Sequence, residues 1–193
     1  MQPLRVQISK RTDGNAVLKC IRGDGSETWQ KQHGVQGAFF PLHDLTHFAV
    51  ESELGFSNAF YGLIASGWSI EETGTRGSAA RLPEEALFAE NVVGSLDRER
   101  ASGTRWSAEE FNYALALHAT SNGRAAPRAL TDDELARVRK RRAELFERWR
   151  ALPRGQTLEL TFDVVHRHSE RSEESVVELQ IPRRFAPRDD KRR

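Results

Sequence analysis

Hydrophobic and polar residues alternate at the start of the chain. Val6 and Ile8 sit between polar neighbours, and Thr12-Asp13-Gly14-Asn15 supplies the residues a tight reversal needs. The pattern predicts a β-hairpin whose second strand covers about 16–22. Gly23-Asp24-Gly25-Ser26 then turns the chain into a short third strand near 28–30. From Phe39 to about Leu152 the hydrophobic period lengthens to that of α-helices. Pro41 suits a first helical turn, which predicts a helix over 42–54 closed by Gly55. A second apolar helix, opened by Ser57 or Asn58, runs to about Ser66. Ser69-Ile70-Glu71-Glu72, Ser107-Ala108-Glu109-Glu110 and Thr131-Asp132-Asp133-Glu134 share the spacing of a capping box and mark three helix starts. Pro83 opens a further helix, and the Gly/Ser/Thr-rich stretches 73–79 and 121–127 read as loops.

The last long helix carries Leu135, Val138, Leu145, Trp149 and Leu152 at steps of three and four, with Arg142 in the one missing position. Its basic run, Arg137 to Arg142, lies within helical reach of Glu134, Glu144 and Glu147 and reads as a solvated face. After Pro153 and Gly155 the period returns to two. Leu158, Leu160, Phe162 and Val164 share one face of a strand, and Val177, Leu179 and Ile181 repeat the pattern. The polar link His166 to Glu174, with His168 inside it, reads as a hairpin loop. The prediction is a single α+β domain over 1–182, followed by a charged, frayed tail over 183–193. In it, N-terminal and C-terminal strands form one antiparallel sheet packed against a central group of four to five helices.

Composition narrows the functional classes. A chain of 193 residues suits one domain, and its 29 Lys+Arg nearly balance 28 Asp+Glu for a net charge of +1. No global field holds such a protein on nucleic acid or an anionic membrane, so neither is an expected partner. The single cysteine, Cys20, cannot form an internal disulfide and sits mid-strand as a small hydrophobe. The first residues lack the apolar core of a signal peptide, and the longest apolar run, 59–68, is about half of a membrane span. A cytoplasmic location is the expectation. No phosphate-binding glycine loop, C-x-x-C pair or G-x-S-x-G elbow is present.

The near-neutral total conceals a segregation of sign. Between Lys31 and Arg76 there are 44 residues with no Lys or Arg, yet the stretch holds Asp44, Glu51, Glu53, Glu71 and Glu72 together with His33, His43 and His47. An acidic, histidine-bearing segment is where a cation is held most easily. On a helix His43, His47 and Glu51 form one stripe, one turn apart, with Asp44 at its edge. Two imidazoles so placed can point at one ion. Glu51 either completes the ligand set or orients a histidine by accepting its other N–H. Further candidates for a third ligand are Glu71, Glu72 and His118, which joins Phe111 and Leu115 in an i, i+4, i+7 stripe. The expected cofactor is a divalent cation, zinc above others, with His43, His47, Glu51 and His118 as ligands and Asp44 or Glu51 in an acid–base role. The alternative is a non-enzymatic interaction module in which the buried histidines are structural.

His43-Asp44-Leu45-Thr46-His47 resembles the H-E-x-x-H helix of zinc peptidases, with Asp in place of the Glu that serves there as general base. The resemblance implies a metal-dependent hydrolase acting on a peptide or small molecule. The longer form of that motif is not met, because Val50 and Glu53 stand where it has Gly and His. The His43-Asp44 doublet also resembles that of helical phosphohydrolases, in which an upstream histidine, here His33, helps complete the metal site. The block Phe39-Phe40-Pro41-Leu42-His43-Asp44-Leu45-Thr46-His47 is similar to one in small uncharacterised bacterial proteins, a likeness that implies no activity.

Overall fold

The computed structural model describes residues 3–74 and 82–163. Strands β1 (Leu4–Lys10), β2 (Ala16–Ile21), β3 (Glu27–Gln32) and β4 (Thr157–Phe162) form one sheet in the order β3-β2-β1-β4. Every pairing is antiparallel, and Ile8 faces both Leu18 of β2 and Leu158 of β4. The first and last described strands therefore lie side by side and tie together the ends of the helical region, as the alternation at both ends of the chain predicts. Leu4, Val6, Ile8, Ala16, Leu18, Cys20, Leu158, Leu160 and Phe162 are the buried members of the alternation. The two hairpin turns are built alike. Arg11 N–H bonds the Asn15 carbonyl and Arg22 N–H the Ser26 carbonyl, each at 2.9 Å. The Asp13 and Asp24 carboxylates accept the N–H groups two residues on.

Six helices are described: α1 (Val35–Leu54), α2 (Phe60–Ala65), α3 (Ile70–Gly74), α4 (Glu84–Ser102), α5 (Ala108–Ser121) and α6 (Asp132–Ala151). All three expected capping boxes form. Ser69, Ser107 and Thr131 each accept the N–H of the glutamate three residues on, while that glutamate accepts theirs. Gly55 closes α1 in the left-handed conformation, its N–H on the Glu51 carbonyl.

The start of α1 departs from the sequence pattern: the helix begins at Val35, and Pro41 lies inside it. Gly34-Val35-Gln36-Gly37 reads as a loop because it holds two glycines, but both serve the helix start. Gly34 adopts φ 57° as the chain enters the helix, and a Cβ on Gly37 would lie 2.9 Å from the Gln32 carbonyl oxygen and 3.2 Å from that of Gly14. Close approach to the first hairpin, which single-sequence periodicity cannot register, holds the extra turns in place.

Helix α1 lies between two apolar clusters. Leu45, Phe48 and Ala49 join the core over the sheet with Tyr61, Ile64, Leu145 and Trp149. Val50 and Leu54 join a second core with Val92, Val93, Leu96, Phe111, Leu115, Leu135 and Val138 from α4, α5 and α6. Polar side chains on a helix so enclosed must find partners inside the protein. The basic run of α6 is divided rather than uniformly solvated. Arg139 pairs with the buried Glu99, Arg142 donates to the Leu96 carbonyl at 2.8 Å, and Arg137 faces Glu53 at 3.7 Å. The expected strand near 177–181, the histidines His166 and His168 and the tail from Arg183 lie outside the described residues. Among the described residues, no helix is long and apolar enough to cross a membrane.

Candidate metal centre

The edge of α1 that meets α4 carries His43, His47 and Glu51 on successive turns, His43 partly exposed and the other two buried. The two imidazole centroids are 4.9 Å apart and inclined at 74°. Helix α4 crosses this stripe with Glu90 and Asp97 seven residues apart, which places them on one helical face with Gly94 between them. His43 Nδ1 is 2.8 Å from Asp97 Oδ2, and His47 Nδ1 is 3.2 Å from Glu51 Oε1. His47 Nε2 faces Glu90 Oε1 at 3.4 Å. One ligand atom from each of His43, His47 and Glu90 lies within 4.8 Å of the other two, so the three side chains could hold a metal ion.

Two of the expected ligands come together and two do not. Glu51 is fully buried with both carboxylate oxygens engaged. Oε1 meets His47, and Oε2 accepts the Tyr61 N–H at 2.8 Å and the Gly62 N–H at 3.4 Å. It therefore positions His47 and the start of α2, and the third ligand atom in the cluster belongs to Glu90. His118 lies on α5, outside the cluster. The buried stripe of that helix is Phe111, Leu115 and Ala119, at i, i+4 and i+8, which leaves His118 half-buried at its edge. Glu72 closes the capping box of α3, and neither it nor Glu71 belongs to the cluster. His33 is exposed in the link before α1. Asp44 is buried, and its Oδ2 accepts the Gln32 side-chain N–H at 2.7 Å.

No protein-family model, curated protein or solved structure matches this chain. Burial alone would push the His47 imidazole down, but the charges of Glu90 and Glu51, joined by Asp44, outweigh it and raise its pKa to about 9. The surroundings thus favour positive charge at this point. Glu90 is half exposed and His43 partly so, so the cluster reaches solvent while His47 is enclosed. Phe39 stacks on His43 at 5.5 Å and Phe60 lies 5.3 Å from His47, forming an apolar border.

Glu90 and Asp97 were not singled out from the sequence, because both lie past Arg76, where acidic and basic residues mix. Their seven-residue spacing across Gly94 was the available signal. It acquires meaning only when α4 is known to cross the histidine stripe.

The Asp44–Gln32 pair yields a stability prediction. Burial raises the Asp44 pKa to about 6, with the Gln32 bond and the two histidines opposing the shift. The Gln32 side-chain oxygen Oε1 has no hydrogen-bond partner among the described residues. A carboxyl pKa raised in the folded state favours folding below the unfolded value near 3.8, and that contribution is lost as pH rises through about 6. Asp44→Asn removes the buried charge, and its side-chain oxygen can still accept the Gln32 N–H. The variant is expected to be about 1–3 kcal/mol more stable than the parent at pH 8, an advantage that shrinks towards pH 4. Urea unfolding at both pH values measures it, and equal stability at pH 8 would refute the assignment.

Proposed function

We propose that His43, His47 and Glu90 bind a divalent, zinc-like cation and that the protein is a metal-dependent hydrolase. The observation that carries this reading is the pairing of each histidine's Nδ1 with a carboxylate, Asp97 for His43 and Glu51 for His47. When a cation displaces the Nε2 proton of the imidazolium, such a partner keeps the remaining proton on Nδ1, leaves the Nε2 lone pair for the metal and raises the basicity of that nitrogen. Two histidines and one carboxylate form a three-ligand set of the kind that leaves a coordination position for water or substrate. A cation there supplies Lewis-acid polarisation of a water or a scissile group.

The chain's own residues divide the remaining work. Asp97 and Glu51 orient the imidazoles. Phe39, Phe40 and Phe60 exclude water from one side, and the half-exposed Glu90 marks the side from which a small molecule or peptide approaches. Asp44 is held by Gln32, so in this arrangement it supports the fold rather than moving a proton in the reaction.

Elemental analysis of protein prepared without a polyhistidine tag tests the proposal. The parent is expected to carry close to one equivalent of metal after zinc reconstitution, and His43→Ala, His47→Ala and Glu90→Gln to lose it. Glu90→Gln is the most informative, because its side chain is half exposed and its fold should be unchanged. A parent that retains no zinc after reconstitution would leave the histidines structural and favour a non-enzymatic interaction module.

A further inference from the structure

A second concave site lies between the C-terminal end of α4, the link to α5 and helix α6, with a volume of about 380 Å3. Five arginines line it: Arg100, Arg105, Arg139, Arg142 and Arg150. The only carboxylates in the lining are Glu99 and Glu147. Two of the five guanidinium groups are committed elsewhere. Arg139 is locked onto Glu99, which also accepts the Trp106 N–H, and Arg100 turns its Nε to Asp97 at 3.3 Å. The other three make no ion pair among the described residues.

Arg142 is the half-buried member. Nη1 donates to the Leu96 carbonyl at 2.8 Å, which leaves most of its five N–H groups without a protein partner. Arg142 and Arg150 both lie over the ring of Phe146, at 5.7 and 5.8 Å from its centroid. Glu99 and Asp97 temper the charge of Arg142 while Arg139 and Arg100 add to the positive field around it, and an anion shared with Arg150 would relieve the repulsion between the two guanidinium groups at the ring. Arg105, in the link between α4 and α5, also lines the pocket and is exposed. Planar forks of N–H donors match the oxygens of phosphate better than they match a single halide or a carbonyl.

We propose that this pocket binds the phosphate group of a small molecule, with Arg142 as its floor and Arg105 and Arg150 as its rim. A concave cavity of this size suits a compact phosphate or diphosphate rather than an extended strand. None of these three arginines belongs to the His43, His47 and Glu90 cluster, so the inference is independent of the metal proposal.

Calorimetric titration with inorganic phosphate, pyrophosphate and glycerol phosphate, at low and at physiological ionic strength, tests it. Saturable one-to-one binding is expected. Tighter binding of pyrophosphate would identify a free inorganic ligand or diphosphate, and tighter binding of glycerol phosphate an organic monoester. Arg105→Gln and Arg150→Gln are each expected to weaken binding about tenfold or more, the effect of losing one charge-assisted hydrogen bond, with the melting temperature unchanged. Arg142→Lys, which keeps the charge and removes the fork, should weaken it as well. Three results would overturn the proposal: no saturable binding, binding indifferent to all three substitutions, or an oligonucleotide that binds more tightly than either phosphate probe and depends on the same arginines.

Discussion

Glu51→Ala is expected to destabilise the protein by about 3–5 kcal/mol, the usual cost of removing one partner from a buried ionic network. The Glu51 carboxylate is fully buried and meets the His47 ring on one oxygen and the Tyr61 and Gly62 N–H groups at the start of α2 on the other. Alanine leaves the Tyr61 N–H and the His47 Nδ1–H buried without acceptors, and it opens a cavity between α1 and α2. For a domain of this size the loss lowers the melting temperature by about 10 °C or more. Glu51→Gln separates stability from chemistry. Its amide oxygen still accepts the two backbone donors, but its NH2 group faces Nδ1 and favours the tautomer in which Nδ1 accepts and Nε2 carries the proton. On the proposed function that substitution reduces metal affinity about 10–100-fold, while the fold loses little. Thermal unfolding followed by circular dichroism and a zinc competition titration read the two effects. A Glu51→Gln protein that binds zinc as tightly as the parent would show that Glu51 does not set the His47 tautomer.

The parts of this architecture that were legible in the sequence are those decided by neighbouring residues. Period-two alternation placed Leu158, Leu160 and Phe162 on one face of β4. The S/T-x-x-E spacing located the starts of α3, α5 and α6, and Gly55 ended α1. What was not legible depends on contacts between segments distant in the chain. Val35 to Phe40 became helix because Gly37 fits against the Gln32 and Gly14 carbonyls. Arg139 and Arg142 left the solvated face because the Glu99 carboxylate and the Leu96 carbonyl of α4 lie beneath them.

The candidate site divides along the same line. His43 and His47 converge because helical geometry alone brings residues four apart onto one edge. Glu90 and Asp97 reach them only through the packing of α4 on α1, a relation between positions some fifty residues apart. Glu51 was visible as a stripe member, yet whether it would bind the ion or hold His47 depended on the two N–H groups that α2 aims at it.

Those two donors connect to the second large effect, which is expected from Gly62→Ala. In an ordinary helix this change stabilises by up to about 1 kcal/mol, because glycine has more conformational freedom to lose. At position 62 the sign reverses. A Cβ would lie 2.1 Å from the Ser57 carbonyl oxygen and 2.4 Å from its carbon, and both are backbone atoms that cannot swing aside. Relief requires α2 to move by about the 1 Å that restores van der Waals separation. Such a shift stretches the Glu51 bonds to Tyr61 and Gly62, and with them the Tyr61 hydroxyl bond to the Asp44 carbonyl. The combined loss is expected to be about 3 kcal/mol or more. Gly94→Ala is the control. It also lies within a helix, but a Cβ there meets nothing within 4 Å, so it should be neutral or stabilising by up to about 1 kcal/mol. Urea unfolding of the two variants side by side gives the comparison. If Gly62→Ala proves as stable as Gly94→Ala, the close approach of α2 to Ser57 is wrong, and with it the placement of the donors that hold Glu51 against His47.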